Sequence, residues 1–144
     1  MAPVMGAIFC YFQLTNIDLE RDFINTYVVK NKRQRYLGFI ESPKRRGSFL
    51  EMLYHGQDLD KRLFQDLRGS GTHESQSIRN RFENLKNADR CYVISVNGAL
   101  DGQEMLLNEA VDRALGQEGT LILFGNGAGV YYEGEPPYDR YLSL

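Results

Sequence analysis

After residue 87 the hydrophobic rhythm of this chain changes, and that change constrains the fold more than any other feature. Before it, apolar residues recur every three or four positions. Beyond it they gather in short unbroken runs, CYVIS at 91–95, TLILF at 120–124 and VYYE at 130–133. The first rhythm belongs to helices with one buried stripe, the second to short buried strands. Helices followed by strands point to the α+β class. The expected architecture is a helical N-terminal half packed on a small mixed β-sheet formed mainly by the C-terminal half. At 144 residues, with no internal repeat or low-complexity linker, the chain has the length of one globular domain, expected over 1–144.

The local signals are specific enough to place elements. Asn16 or Thr15 can cap a helix whose Ile17, Phe23, Ile24, Tyr27 and Val28 recur at helical spacing, and Tyr36, Leu37 and Ile40 prolong the pattern towards Glu41. The stretch SPKRRGSFLEMLYHG at 42–56 reads as a complete helix. Ser42 is its N-cap, Pro43 its first position, Phe49, Leu50, Leu53 and Tyr54 its apolar stripe, and Gly56 its stop. A short helix over 60–67, the flexible RGSGTHES and a helix ending near Asn87 follow, the last with Ile78, Phe82 and Leu85 on one face. Between CYVIS and TLILF, a helix over 101–115 carrying Leu107, Val111, Ala114 and Leu115 and closed by Gly116 makes a strand–helix–strand unit. Its length suits a right-handed parallel crossover. NGAG between LILFG and VYYEG predicts a hairpin, and RYLSL after Pro136 and Pro137 predicts an edge strand.

Charge is distributed unevenly. Between Lys30 and Arg46 seven cations (Lys30, Lys32, Arg33, Arg35, Lys44, Arg45, Arg46) face the single anion Glu41, a net +6 inside a chain of net −2. From Asn97 onward eight acids face Arg113 and Arg140, a net −6. Three of the cations fall in the first turn of the 42–56 helix, where the helix dipole opposes them by a few tenths of a kcal/mol each. Either they engage an anion or they pair internally with the acidic C-terminal third. The reading adopted is a small intracellular binding or regulatory protein, not catalytic, that engages nucleic acid or an acidic protein surface through Lys32, Arg33, Arg35, Lys44, Arg45 and Arg46. No cofactor is expected.

Catalytic readings are weaker because each candidate has a simpler use. His55, Asp58, Asp60, His73 and Glu74 are close enough in sequence to make a metal-dependent hydrolase or nuclease site, the alternative function. Their spacing matches no zinc motif, and His55 at a helix end and Asp58 or Asp60 at a helix start suit capping roles, so no metal is expected. Gly125, Gly127 and Gly129 follow a strand as in a dinucleotide site, but no helix follows them, and a turn with positive φ is preferred. Gly69, Ser70 and Gly71 lack the Lys–Ser/Thr of a phosphate loop and read as a connection capped by Thr72. Glu133 and Glu135 could project together from a strand end as an acid–base pair, although a solvated strand end is the preferred account. Cys10 and Cys91 sit in apolar runs, where burial keeps a thiol inert, and two isolated thiols fit a reducing, cytoplasmic setting. The opening apolar run has no basic start and is too short to span a bilayer. It is expected to pack on the core, with no membrane partner.

Overall fold

Asn16 opens the first helix as its sequence position suggests: its side-chain oxygen accepts the N–H of Leu19 at 3.1 Å, and α1 runs Ile17–Tyr27. The computed structural model describes residues 15–67, 75–135 and 140–144. Phe23 and Ile24, at helical spacing, are buried. Val28 then leaves the helix in an extended conformation and bridges Leu59. A 3₁₀ turn, Lys30–Lys32, separates α1 from α2 (Arg33–Ile40), whose Tyr36 and Ile40 face inward.

The 42–56 stretch divides in two. Pro43–Arg45 is a 3₁₀ turn and α3 runs Arg46–His55. Ser42 contributes its backbone carbonyl, which accepts the N–H of Arg45 at 3.0 Å, while its side chain makes no capping bond. The tighter turn closes i→i+3 backbone bonds and leaves the hydroxyl without a capping role. The stop is as expected. Gly56 has φ of 65° and donates its N–H to Met52 and Leu53 carbonyls. Space enforces glycine there as much as backbone does, because a Cβ would lie 2.5 Å from the hydroxyl oxygen of Tyr132. That hydroxyl donates to the carbonyl of Leu53.

The expected helix over 60–67 is instead a 3₁₀ turn, Lys61–Leu63, capped by the Asp60 side chain, followed by strand β1 (Phe64–Asp66). Its partner is β6 (Arg140–Ser143), some 75 residues later, a pairing that local propensity cannot register. The remaining elements are α4 (Ser75–Phe82), β2 (Cys91–Ser95), β3 (Glu104–Met105), α5 (Leu107–Arg113), β4 (Thr120–Phe124) and β5 (Gly129–Glu133). The class is α+β: mostly N-terminal helices with a six-stranded sheet in the order β1-β6-β5-β4-β2-β3. The β4–β5 hairpin turns through Gly125, Asn126 and Gly127, all at positive φ, as NGAG predicts.

All five strand pairings among the described residues are antiparallel, so the expected parallel crossover does not form. The segment expected as one helix over 101–115 holds β3 before α5, and β3 is what reverses the chain. Met105 pairs with Cys91 at the start of β2, α5 then travels back, and Thr120 enters β4 opposite Ser95 at the end of β2. RYLSL is likewise no edge strand, since β6 lies between β1 and β5. Pro136 and Pro137 lie outside the described residues.

Helices cover both faces of the sheet. Alternate residues of the central strands, Tyr92, Ile94, Leu121, Leu123, Val130 and Tyr132, join the α1–α3 side in one core. Cys91, Val93, Ile122, Phe124 and Tyr131 point the other way, towards α4 and α5. Two-sided burial explains why CYVIS and TLILF are unbroken apolar runs, a pattern more usual in parallel sheets. Each fully buried aliphatic or aromatic side chain contributes about 1.5–3 kcal/mol. With no Trp available, tyrosines supply bulk at the centre, and each of four fully buried ones has a partner for its hydroxyl. Among the described residues no helix is long and apolar enough to cross a membrane.

Candidate functional site

The basic window is divided by the fold. Arg46 turns inward. Its Nε and Nη2 donate to the two oxygens of Asp101 at 2.9 and 2.8 Å, and its Nη1 donates to Glu20 Oε1 at 2.6 Å. Glu20 is wholly buried and accepts the Tyr92 hydroxyl at 2.6 Å on its other oxygen. Asp101 also accepts the Ser95 N–H at 3.0 Å, and the Tyr92 hydroxyl accepts the N–H of Asn16 at 2.8 Å. This network joins α1, α3, β2 and the connection after β2. Burial opposes the charge on Arg46, but the bonds from Asp101 and Glu20 outweigh it and raise its pKa. Arg46 is therefore committed to internal ion pairs. Internal pairing with the acidic C-terminal third, one of the two readings of the window, holds for this residue.

Arg33 is partly committed as well, its Nε donating to the carbonyl of Val28 at 2.9 Å where the chain turns from α1 to α2. The other cations are not. Among the described residues, Lys30, Lys32, Arg35, Lys44 and Arg45 take part in no ion pair. Lys30, Arg35, Lys44 and Arg45 are exposed and Lys32 is half-buried. The guanidinium of Arg35 lies 5.8 Å from the ring centre of Phe39, one turn further along α2. Arg45 reaches back over the same helix: its Nη1 would be 3.7 Å from a Cβ at Gly38, one turn from Arg35. The two arginines thus share a flank of α2.

Beside that flank lies a groove of about 400 Å³ between α2 and α3. Arg35 and Phe39 form one wall, Glu51 and His55 stand on the α3 side, and Asp58 borders it from the following loop. Asp58 Oδ2 accepts the Tyr36 hydroxyl at 2.9 Å, and burial together with that carboxylate raises the Tyr36 pKa. Glu51 is exposed and takes part in no ion pair or side-chain hydrogen bond among the described residues. A larger depression of about 540 Å³ at the start of α1 carries Asp18 and Glu104 and no cation among its described lining residues.

Of the alternative catalytic set, the described members His55, Asp58 and Asp60 each have a partner of their own. His55 Nδ1 lies 3.1 Å from Glu135 Oε1, Asp58 holds Tyr36, and Asp60 caps the 3₁₀ turn while pairing with Arg62 at 2.8 Å. The Arg62 hydrogen bond lowers the Asp60 pKa. His73 and Glu74 lie outside the described residues, as do Gly69–Thr72 and Cys10. Among the described residues no three His, Cys, Asp or Glu side chains are grouped to hold a metal ion. Glu133 and Glu135 also part company. Glu133 is buried beside Tyr131, whose hydroxyl it accepts at 2.8 Å, on the α4–α5 side of the sheet. Glu135 lies past the strand and meets His55 on α3, because β5 ends at Glu133 and the alternation stops there. Burial pushes the Cys91 thiol up to about 12.

Sequence reasoning missed the groove and the Glu20–Arg46–Asp101 network. A signal existed for one part of each. Arg35 and Phe39 stand at i and i+4, the spacing of a cation–aromatic contact on a helix. Glu20 stands three and four positions before Phe23 and Ile24, which places a carboxylate on the buried face of α1. No protein-family model matches the chain, and no curated protein or solved structure matches it either.

Proposed function

We propose that this chain is a non-catalytic binding protein that engages the phosphate backbone of nucleic acid through Lys30, Lys32, Arg35, Lys44 and Arg45, and that it works in the cytoplasm. The observation that carries the reading is that the fold pairs Arg46 internally and leaves these five cations without an ion-pair partner among the described residues. Unpaired cations gathered on one helix and the turns at its two ends are an electrostatic footprint for phosphates. An acidic protein surface has the same charge complementarity. It would ordinarily also meet an apolar or aromatic anchor. Within the basic window Phe39 is only partly exposed, and the more exposed large apolar side chains among the described residues, Val96, Leu106 and Leu144, lie outside it. The isolated, buried Cys91 accords with a reducing compartment.

The test is titration of labelled mixed-sequence oligonucleotides at several salt concentrations. The logarithm of affinity should fall linearly with the logarithm of salt, and each Lys→Gln or Arg→Gln change among the five should flatten that slope by roughly one. Thermal stability should stay unchanged. If the wild type binds no oligonucleotide at low salt, or if the five-site variant binds as tightly as the wild type, the reading is wrong.

A further inference from the structure

We infer that the groove between α2 and α3 receives an unpaired nucleobase bearing an exocyclic amino group, so that the nucleic acid engaged is single-stranded. This rests on the phosphate-binding reading above and specifies its partner. Charge is segregated around the groove. Cations stand on the flank of α2 and in the turns at its two ends, but inside the groove the cation Arg35 is accompanied by the carboxylates of Glu51 and Asp58. A phosphate entering the groove would meet both carboxylates, whereas an amino group would donate to them. Carboxylates accept from the amino group of cytosine in this way. Asp58 has one oxygen engaged by Tyr36, and Glu51 has both oxygens without a hydrogen-bond partner among the described residues. Glu51 is therefore the residue that reads the base.

The wall opposite supplies the stacking surface. Phe39 is partly exposed and carries the Arg35 guanidinium 5.8 Å from its ring centre, and such aromatic–arginine platforms hold the flat faces of bases. A volume of about 400 Å³ admits a nucleobase. A duplex exposes amino groups only as edges in its grooves and keeps the flat faces of its bases stacked inside the helix, out of reach of Phe39. A strand whose phosphates follow Arg45 and Lys44 can turn a base towards Phe39, since Arg45 lies one helical turn from Arg35.

The experiment compares oligo(dC), oligo(dT) and a mixed-sequence duplex of equal length at one salt concentration, on the wild type, Glu51→Ala and Phe39→Leu. Oligo(dC) should bind about fivefold or more tighter than oligo(dT), and Glu51→Ala should abolish that preference. Phe39→Leu should weaken both single strands by about fivefold or more with the salt slope intact. Glu51 is exposed, so its variant reports even where Phe39→Leu loosens packing. Duplex affinity equal to that of oligo(dC), or an undiminished dC preference in Glu51→Ala, overturns this inference and leaves phosphate binding standing. Failure of every oligonucleotide to bind overturns both.

Discussion

Replacing Arg46 by Met tests the division of the basic window most directly. Methionine keeps the packing of the side chain on Phe49, whose ring centre lies 5.2 Å from the Arg46 guanidinium, and removes the charge. Two carboxylates are then stranded unequally. Asp101 is 14% exposed and keeps the Ser95 N–H, so water relieves part of its loss. Glu20 is 0% exposed and, among the described residues, its carboxylate keeps only the Tyr92 hydroxyl. Breaking one side of a buried pair costs about 3–5 kcal/mol, and the partial exposure of Asp101 sets the expectation near the lower end, about 3 kcal/mol. For a chain of this length that is a fall in Tm of roughly 6–12 °C. Urea melts followed by circular dichroism measure it, with Lys44→Gln and Arg45→Gln as comparisons expected to stay within about 0.5 kcal/mol of the wild type. Because the cost is an uncompensated charge, adding Glu20→Gln to Arg46→Met should recover about 1–2 kcal/mol. A loss below about 1 kcal/mol for Arg46→Met, or no recovery in the double variant, would refute the reasoning.

Other variants isolate single terms. Gly56→Ala combines a strained positive φ with a displaced Tyr132 hydroxyl and should cost about 2–4 kcal/mol, whereas Gly116→Ala, at φ of 88° with nothing within 4 Å of its Cβ, should cost only the backbone part, about 1–2 kcal/mol. Equal losses in thermal melts would show that the Tyr132 contact is immaterial. Asn16→Ala should lose about 0.5–2 kcal/mol and Ser42→Ala less than about 0.5, since of the two Asn16 alone makes a side-chain cap bond; the opposite ranking by urea titration would contradict the assigned caps. Burial lifts the Cys91 thiol from 9.0 to about 12 and raises the phenols of Tyr36, Tyr92 and Tyr131 above 10.0. Above about pH 9 the folded chain then holds more protons than the unfolded one, so stability is full below that pH and declines as pH rises. Tyrosinate absorbance should grow in step with unfolding, and urea stability that stays flat to about pH 11 would count against the assignment.

Helix caps, stops and turns were legible because their causes lie within a few residues. Asn16 bonds to Leu19, Gly56 to Met52 and Leu53, and the NGAG hairpin needs only its own positive φ angles. The segment over 60–67 was misread for the opposite reason. Phe64 and its neighbours become a strand only by pairing with residues 141–143. Of the candidate site, the seven-cation window was legible as a cluster, but which of its members the fold engages was not, nor was the groove beside them, because its walls come from separate elements.

By itself the sequence determined the α+β class, the buried faces of the helices, the burial of the central strands and the presence of a basic window. Those properties follow from hydrophobic period, glycine and local charge, which act over one or two turns of chain. Tertiary structure alone decided the antiparallel direction of β4 against β2, through the reversal at β3, and the fate of each cation. Arg46 and Arg45 are adjacent and identical in chemistry, yet one is held between Glu20 and Asp101, 26 and 55 positions away, and the other faces solvent. A charge becomes structural or available according to what folding brings within hydrogen-bond reach, and no local pattern carries that information.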